Sequence, residues 1–140
     1  MKKLFLLGLF LIITNSYAQS VTGKWYTVDD EDNKKKSLVE IYENDGKIYA
    51  KILKLLRPED EGKLCEKCEG DLHNKPIEGM VIINGLKKDD DEWSGGKILD
   101  PKSGNVYKCY IELEEADKLK VRGYMGFSLL GRTQYWYRVK

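Results

Sequence analysis

Histidine is almost missing from this chain: His73 is the sole one in 140 residues. It stands in a cysteine-bearing loop, away from any serine or aspartate motif, so no nucleophile–base pair or catalytic signature emerges and an enzyme is not the expected reading. Charge of one sign is missing too, with 24 Lys and Arg against 23 Asp and Glu. That balance gives nothing to steer the chain to nucleic acid or an anionic membrane. Internal repeats, low-complexity linkers and long amphipathic helical patterns are absent. The one long apolar run is "LFLLGLFLII" (4–13). Ten residues make a helix of only about 15 Å, roughly half a bilayer core, so a spanning anchor is excluded. No lipobox cysteine follows it to carry a lipid.

What the run does fit is a leader. Lys2 and Lys3 precede it, and Ser16-Tyr17-Ala18 puts small residues where a signal peptidase reads them. Residues 1–18 are therefore expected to be a signal peptide, with export to the periplasm or beyond. Losing Lys2 and Lys3 takes the formal charge from +1 to −1. Residues 19–140 are long enough for one domain with its own core.

That domain reads as strands. "TGKWYTV" (22–28), "SLVEIYE" (37–43), "IYAKILKLL" (48–56), "GMVIINGL" (79–86), "EWSGGKIL" (92–99), "NVYKCYIEL" (105–113), "KLKVRGYM" (118–125) and "RTQYWYRV" (132–139) follow one another across short links. Asp45-Gly46 marks a tight hairpin and "DPKSG" (100–104) a second turn. The third segment has a helix-like look, but its hairpin partner argues for strand. The mixed charge clusters "DDEDNKKK" (29–36) and "KKDDDE" (87–92) read as solvated hairpin tips. A calcium loop counted from Asp89 needs Gly sixth and has Ser94. Eight regularly spaced strands point to an all-β, antiparallel up-and-down barrel.

Gly23-Lys24-Trp25 at the head and Arg138 on the last strand look like the calycin, or lipocalin, signature. In that superfamily the guanidinium lies across the indole and plugs one barrel end. More widely, "GKWYTVDD", "GMVIINGL", "WSGGKILDPKSGNVYKC" and "LKVRGYMGFSLLGRTQYWYR", with the CxxC loop between, resemble domain of unknown function 2147. This is a family of small exported bacterial proteins. The resemblance implies a single calycin-like barrel over residues 19–140 and export, and supplies no established activity. Cys109 is not part of the family pattern.

"GKLCEKCEGD" (62–71) holds the other two cysteines. Glu66, Glu69 and Asp71 crowd Cys65 and Cys68, which raises rather than lowers thiol pKa and argues against a redox couple. Haem attachment needs His directly after Cys68, where Glu69 stands. Zinc could be held by Cys65, Cys68, His73 and Cys109, if Cys109 left its strand partners for a distant loop. In an oxidising compartment a Cys65–Cys68 disulfide is the simplest reading, with Cys109 unpaired. No metal or other cofactor is expected.

On the last strand, period-two alternation puts Arg132, Gln134, Trp136 and Arg138 on one face and Thr133, Tyr135 and Tyr137 on the other. If Arg138 reaches Trp25, the arginine face turns inward. Arg132, Gln134 and Trp136 would then line a pocket with Thr27 and Tyr107 beneath the apolar link "MGFSLLG" (125–131), a mouth lid or a cap over the core. Arg132 would anchor a carboxylate or phosphate, unless Glu40 or Glu112 satisfied it in a filled core. The expected function is a non-enzymatic binder of a small amphipathic or anionic ligand. The competing readings are a filled structural barrel of the cell envelope and, further off, an enzyme.

Overall fold

The computed structural model describes residues 20–140, so the leader expected over residues 1–18 lies outside the described residues. Eight strands run in chain order: β1 (Gly23–Val28), β2 (Lys35–Asn44), β3 (Lys47–Leu55), β4 (Val81–Asp89), β5 (Glu92–Leu99), β6 (Val106–Glu115), β7 (Lys118–Tyr124) and β8 (Gly131–Arg138). Each pairs antiparallel with the next, and β8 returns to β1, giving a closed barrel. All eight expected strands are present. β4 starts two residues later than its hydrophobic run suggests and extends three further, into charged residues that pair with β5.

Turn chemistry sets the hairpins. Asp45 (φ 51) and Gly46 (φ 75) connect Asn44 to its partner Lys47. Two successive positive φ values make the two-residue turn whose twist matches the strands it joins. This settles "IYAKILKLL" as strand: local pairing overrides its helix-like apolar spacing.

Inside, alternation turns one face of each strand to the core, with the inward Trp93 and Ile98 of β5 only half-buried. Trp25, Val39, Ile41, Ile48, Leu86, Ile111, Leu119 and Trp136 are almost wholly inaccessible. Gly96 pairs with Cys109, and a Cβ there would run into the Asn84 carbonyl and Leu86, so Gly96 clears room for the Leu86 side chain. One end, with the β2–β3, β4–β5 and β6–β7 turns, is closed by Trp25 and Arg138. The opposite end carries the β1–β2, β3–β4, β5–β6 and β7–β8 loops and is the mouth.

The long β3–β4 connection is structured. A 3-10 turn, Pro58–Asp60, leads into a small loop that contains a second, Gly70–Leu72, and in which Cys65 N–H donates to Lys75 O (2.8 Å) and Ile77 N–H to Lys63 O (3.0 Å). Cys65 and Cys68 are joined in a disulfide, and both are buried. Cys65 Sγ touches the Pro101 carbonyl at 3.4 Å. Gly104, at φ 75, lies directly against the Lys67 carbonyl, a place no side chain could occupy. The loop thereby packs on the β5–β6 turn and shields Ile77, Met80, Ile82 and Leu99.

Candidate ligand site at the barrel mouth

Closure of the far end frames the site. The Arg138 guanidinium carbon sits 4.3 Å from the Trp25 ring centroid. Its nitrogens donate to the carbonyls of Ser20 (2.7 Å), Thr22 (3.0 Å) and Ala116 (3.0 Å). Trp25 Nε1 donates to Val21 O at 2.9 Å. Gly23 has φ 126, which favours glycine, and a Cβ there would come within 3.1 Å of Arg138 Nη1, a tight approach. Gly23, Trp25 and Arg138 thus form the plug expected of them, and it orients the face of β8.

With Arg138 turned inward, Trp136 and Gln134 follow, as their partners Leu119 and Val121 on β7 confirm. Thr27 on β1 is buried, and its hydroxyl lies 2.6 Å from that of Ser37 on β2. Tyr107 shares the inward face of β6 with Cys109 and Ile111, is half-buried, and accepts a hydrogen bond from Asn105 Nδ2 (3.2 Å). Gly123 makes space for it: a Cβ there would lie 3.5 Å from Tyr107 Cβ and 3.3 Å from Ile98. Thr27, Tyr107, Gln134 and Trp136 therefore share the barrel's inner face, with Tyr107 and Gln134 partly open to the mouth.

Arg132 does not join them. Its side chain is 66% exposed and forms an ion pair with Asp30 of the β1–β2 loop. The alternation is as expected, since Arg132 pairs with inward Gly123, but the residue stands above the rim, where water solvates it. Neither Glu40 nor Glu112 takes it; its partner is Asp30, which the sequence had marked only as a solvated tip. The expected interior anchor for an anion is thereby corrected. Of the two expectations for the link 125–131, a mouth lid or a cap over the core, the cap does not hold: Met125, Phe127, Leu129 and Leu130 are exposed rather than folded over the core.

Ser37 was missed, although its place two residues before Val39 and four before Ile41 on β2 could have put it on the inward face.

The polar accounting inside the barrel leaves one remainder. Trp136 Nε1 is buried with no hydrogen-bond partner among the described residues. The other buried indole, Trp25, has one. Cys109 is a buried free thiol whose pKa burial pushes up to about 12, which keeps it protonated at neutral pH. Two clefts lie away from the mouth interior. One of about 340 Å³ at the closed end is lined by Val21, Lys88, Asp91, Trp93, Glu112 and Leu113. Another of about 520 Å³ runs between the β3–β4 loop and β4, along Leu72, Pro76, Met80 and Asn84.

A family model described as "Uncharacterized protein conserved in bacteria (DUF2147)" matches residues 23–138, from the plug glycine to the plug arginine. The chain belongs to this family. Its fold is that of the lipocalins. Protein HP1028 from the human pathogen Helicobacter pylori, described as belonging to the lipocalin family, superposes with a TM-score of 0.75 over 86% of this chain and 84% of its own. At 22% identity that likeness concerns the fold. No curated protein sequence matches the chain. No helix among the described residues is long and apolar enough to cross a membrane.

Proposed function

We propose that this family member binds a small, largely apolar molecule inside its barrel above the Trp25–Arg138 plug, with the Trp136 indole N–H as the principal polar contact. The orphaned Trp136 Nε1 carries the reading. An uncompensated buried donor costs about 1–3 kcal/mol, and native proteins seldom leave one unpaired. A ligand acceptor would recover that loss. Thr27, Tyr107 and Gln134 share the inner face and supply a hydroxyl, a phenol and an amide toward the mouth. With Arg132 at the rim, no arginine remains to hold an anion inside, so the ligand is amphipathic rather than anionic. The lipocalin-like architecture supports this by analogy, since barrels of eight strands can enclose one small ligand. Export through the leader at residues 1–18 belongs to the same proposal, and the buried disulfide suits an oxidising compartment.

The competing reading is a filled structural barrel. It is favoured by the tight packing of Trp25, Ile41, Ile48, Leu86, Ile111 and Leu119, and by clefts that lie outside the mouth. Native mass spectrometry of protein purified from its own envelope separates the two. A stoichiometric small-molecule adduct, retained about tenfold less after Trp136→Phe, is the expected outcome for one lost buried hydrogen bond. A bare mass for the wild-type chain would leave the filled barrel.

A further inference from the structure

Five of the most exposed large apolar side chains gather at one corner of the mouth. Met125, Phe127, Leu129 and Leu130 of the β7–β8 loop are 65–88% exposed. Val106, at the start of β6, adds a fifth beside them, since Lys108 two residues on pairs with Tyr124 at the loop's base. Scattered apolar residues on a surface are ordinary; a contiguous group on a loop tip marks an interaction site.

The backbone of this tip is partly hydrogen-bonded within the loop and by two cations at its base. Met125 N–H donates to Leu130 O (3.1 Å) and Leu130 N–H to Phe127 O (2.9 Å). Arg122 Nε donates to Ser128 O (2.8 Å), and Lys108 Nζ reaches Gly126 O (3.5 Å). Four carbonyls of the loop are thus satisfied from within or by its own cations, which lowers that part of the cost of entering a medium without hydrogen bonds, while the N–H groups of Gly126, Phe127, Ser128 and Leu129 have no partner among the described residues. Those same cations form a collar below the apolar tip, on the outward faces of β6 and β7. In the β1–β2 loop beside the tip, Asp29 and Asp32 pair with Arg57 and Asp30 pairs with Arg132. Glu31 is the remaining acid of that loop. The further acids of this end lie on the β3–β4 loop (Glu59 to Glu78) and at Asp100.

An apolar tip above a cationic collar matches the layering of a bilayer surface, acyl chains beneath anionic headgroups. We infer that the β7–β8 loop docks the barrel mouth onto an anionic lipid surface, inserting Phe127 and Leu129 while Arg122 and Lys108 meet phosphate. Net charge conceals this, because the cations matter by position and not by sum. The inference stands apart from the interior-ligand reading and needs no bound molecule.

Vesicle flotation tests it with the chain from Gln19 onward, which contains every strand and core residue and lacks the apolar leader that would itself bind lipid. Wild type should float with phosphatidylglycerol-containing vesicles and more weakly with phosphatidylcholine alone. Phe127→Ser with Leu129→Ser should cut recovery about tenfold or more with an unchanged thermal midpoint, and Lys108→Gln should lower the anionic preference by about fivefold. Phe127→Trp should shift its emission to the blue on vesicle addition, beyond the wild-type change. Equal flotation of the double serine variant, or an unmoved Phe127→Trp emission, overturns the inference. So does a concentration-dependent dimer that the double variant abolishes while flotation stays at background, which would make the patch a contact between copies.

Discussion

Arg138 lies across the Trp25 ring, 4.3 Å from its centroid, while spending its N–H groups on the carbonyls of Ser20, Thr22 and Ala116. One side chain thereby ties the last strand to the first, to the N-terminal segment and to the β6–β7 turn. Trp25→Ala should cost about 3–5 kcal/mol, combining a large cavity with loss of the stacked cation's partner. Arg138→Lys should recover only part of the loss of Arg138→Ala, since an ammonium has no planar face to stack. Urea denaturation of the three variants checks the order; equal stability of Arg138→Lys and wild type would refute the stacking role.

The Arg132–Asp30 pair should matter little to stability. With 66% and 41% of the two side chains exposed, a double-mutant cycle of Arg132→Gln and Asp30→Asn should give a coupling of about 0.2–1 kcal/mol, shrinking in high salt. A coupling of several kcal/mol would mean that the mouth is closed over this pair.

Cys109 should make the protein sensitive to alkali. Its folded pKa is pushed from an ordinary 9.0 to about 12 by burial. Above 9 the unfolded thiol ionises while the folded one stays neutral, so the folded state binds more protons and stability falls as pH rises. The contribution is whole below pH 9 and is lost between 9 and about 12, at up to about 1.4 kcal/mol per pH unit. Lysines and tyrosines titrate in the same range, so the measurement is the difference between wild type and Cys109→Ala, which should narrow as pH is raised. The thiol should also resist alkylation at neutral pH until the barrel is unfolded.

Intact mass with alkylation, before and after reduction, should show one blocked pair, Cys65 and Cys68, and one thiol that reacts only on unfolding. The bridge spans three positions in sequence. Chain entropy alone therefore gives less than the roughly 3 kcal/mol of a 15-residue loop. Reduction should loosen the β3–β4 loop, read as faster amide exchange at Cys65 and Ile77, and leave the barrel folded. Global unfolding on reduction would show that the loop's packing over Leu99 and Ile82 sustains the barrel.

Period-two alternation, turn residues and the Gly23, Trp25 and Arg138 trio were enough to read eight strands, their antiparallel order and the plugged end. These are local or pairwise properties, set by the backbone's two-residue repeat and by chemistry that only a few residues can perform. The cysteine pair was legible for the same reason, since three positions of separation and acidic neighbours restrict what it can be. Alternation could extend an inward Arg138 to the rest of its face of β8 but could not choose that face without the Trp25 contact, and it says nothing of height along the barrel axis. Arg132 and Gln134 share that face, and only the tertiary register decides that one stands above the rim in water and the other below it. The Asp30 partner was hidden likewise. β1 and β8 are in register through Trp25–Arg138 and Tyr26–Tyr137, and the approach of the loop beyond depends on how the whole sheet curls to close. Where the β3–β4 loop lands, which indole keeps a partner and which loses it, and the outward turn of Phe127 and Leu129 are decisions of the same kind. They depend on contacts between residues far apart in the chain, and sequence spacing carries no record of those distances.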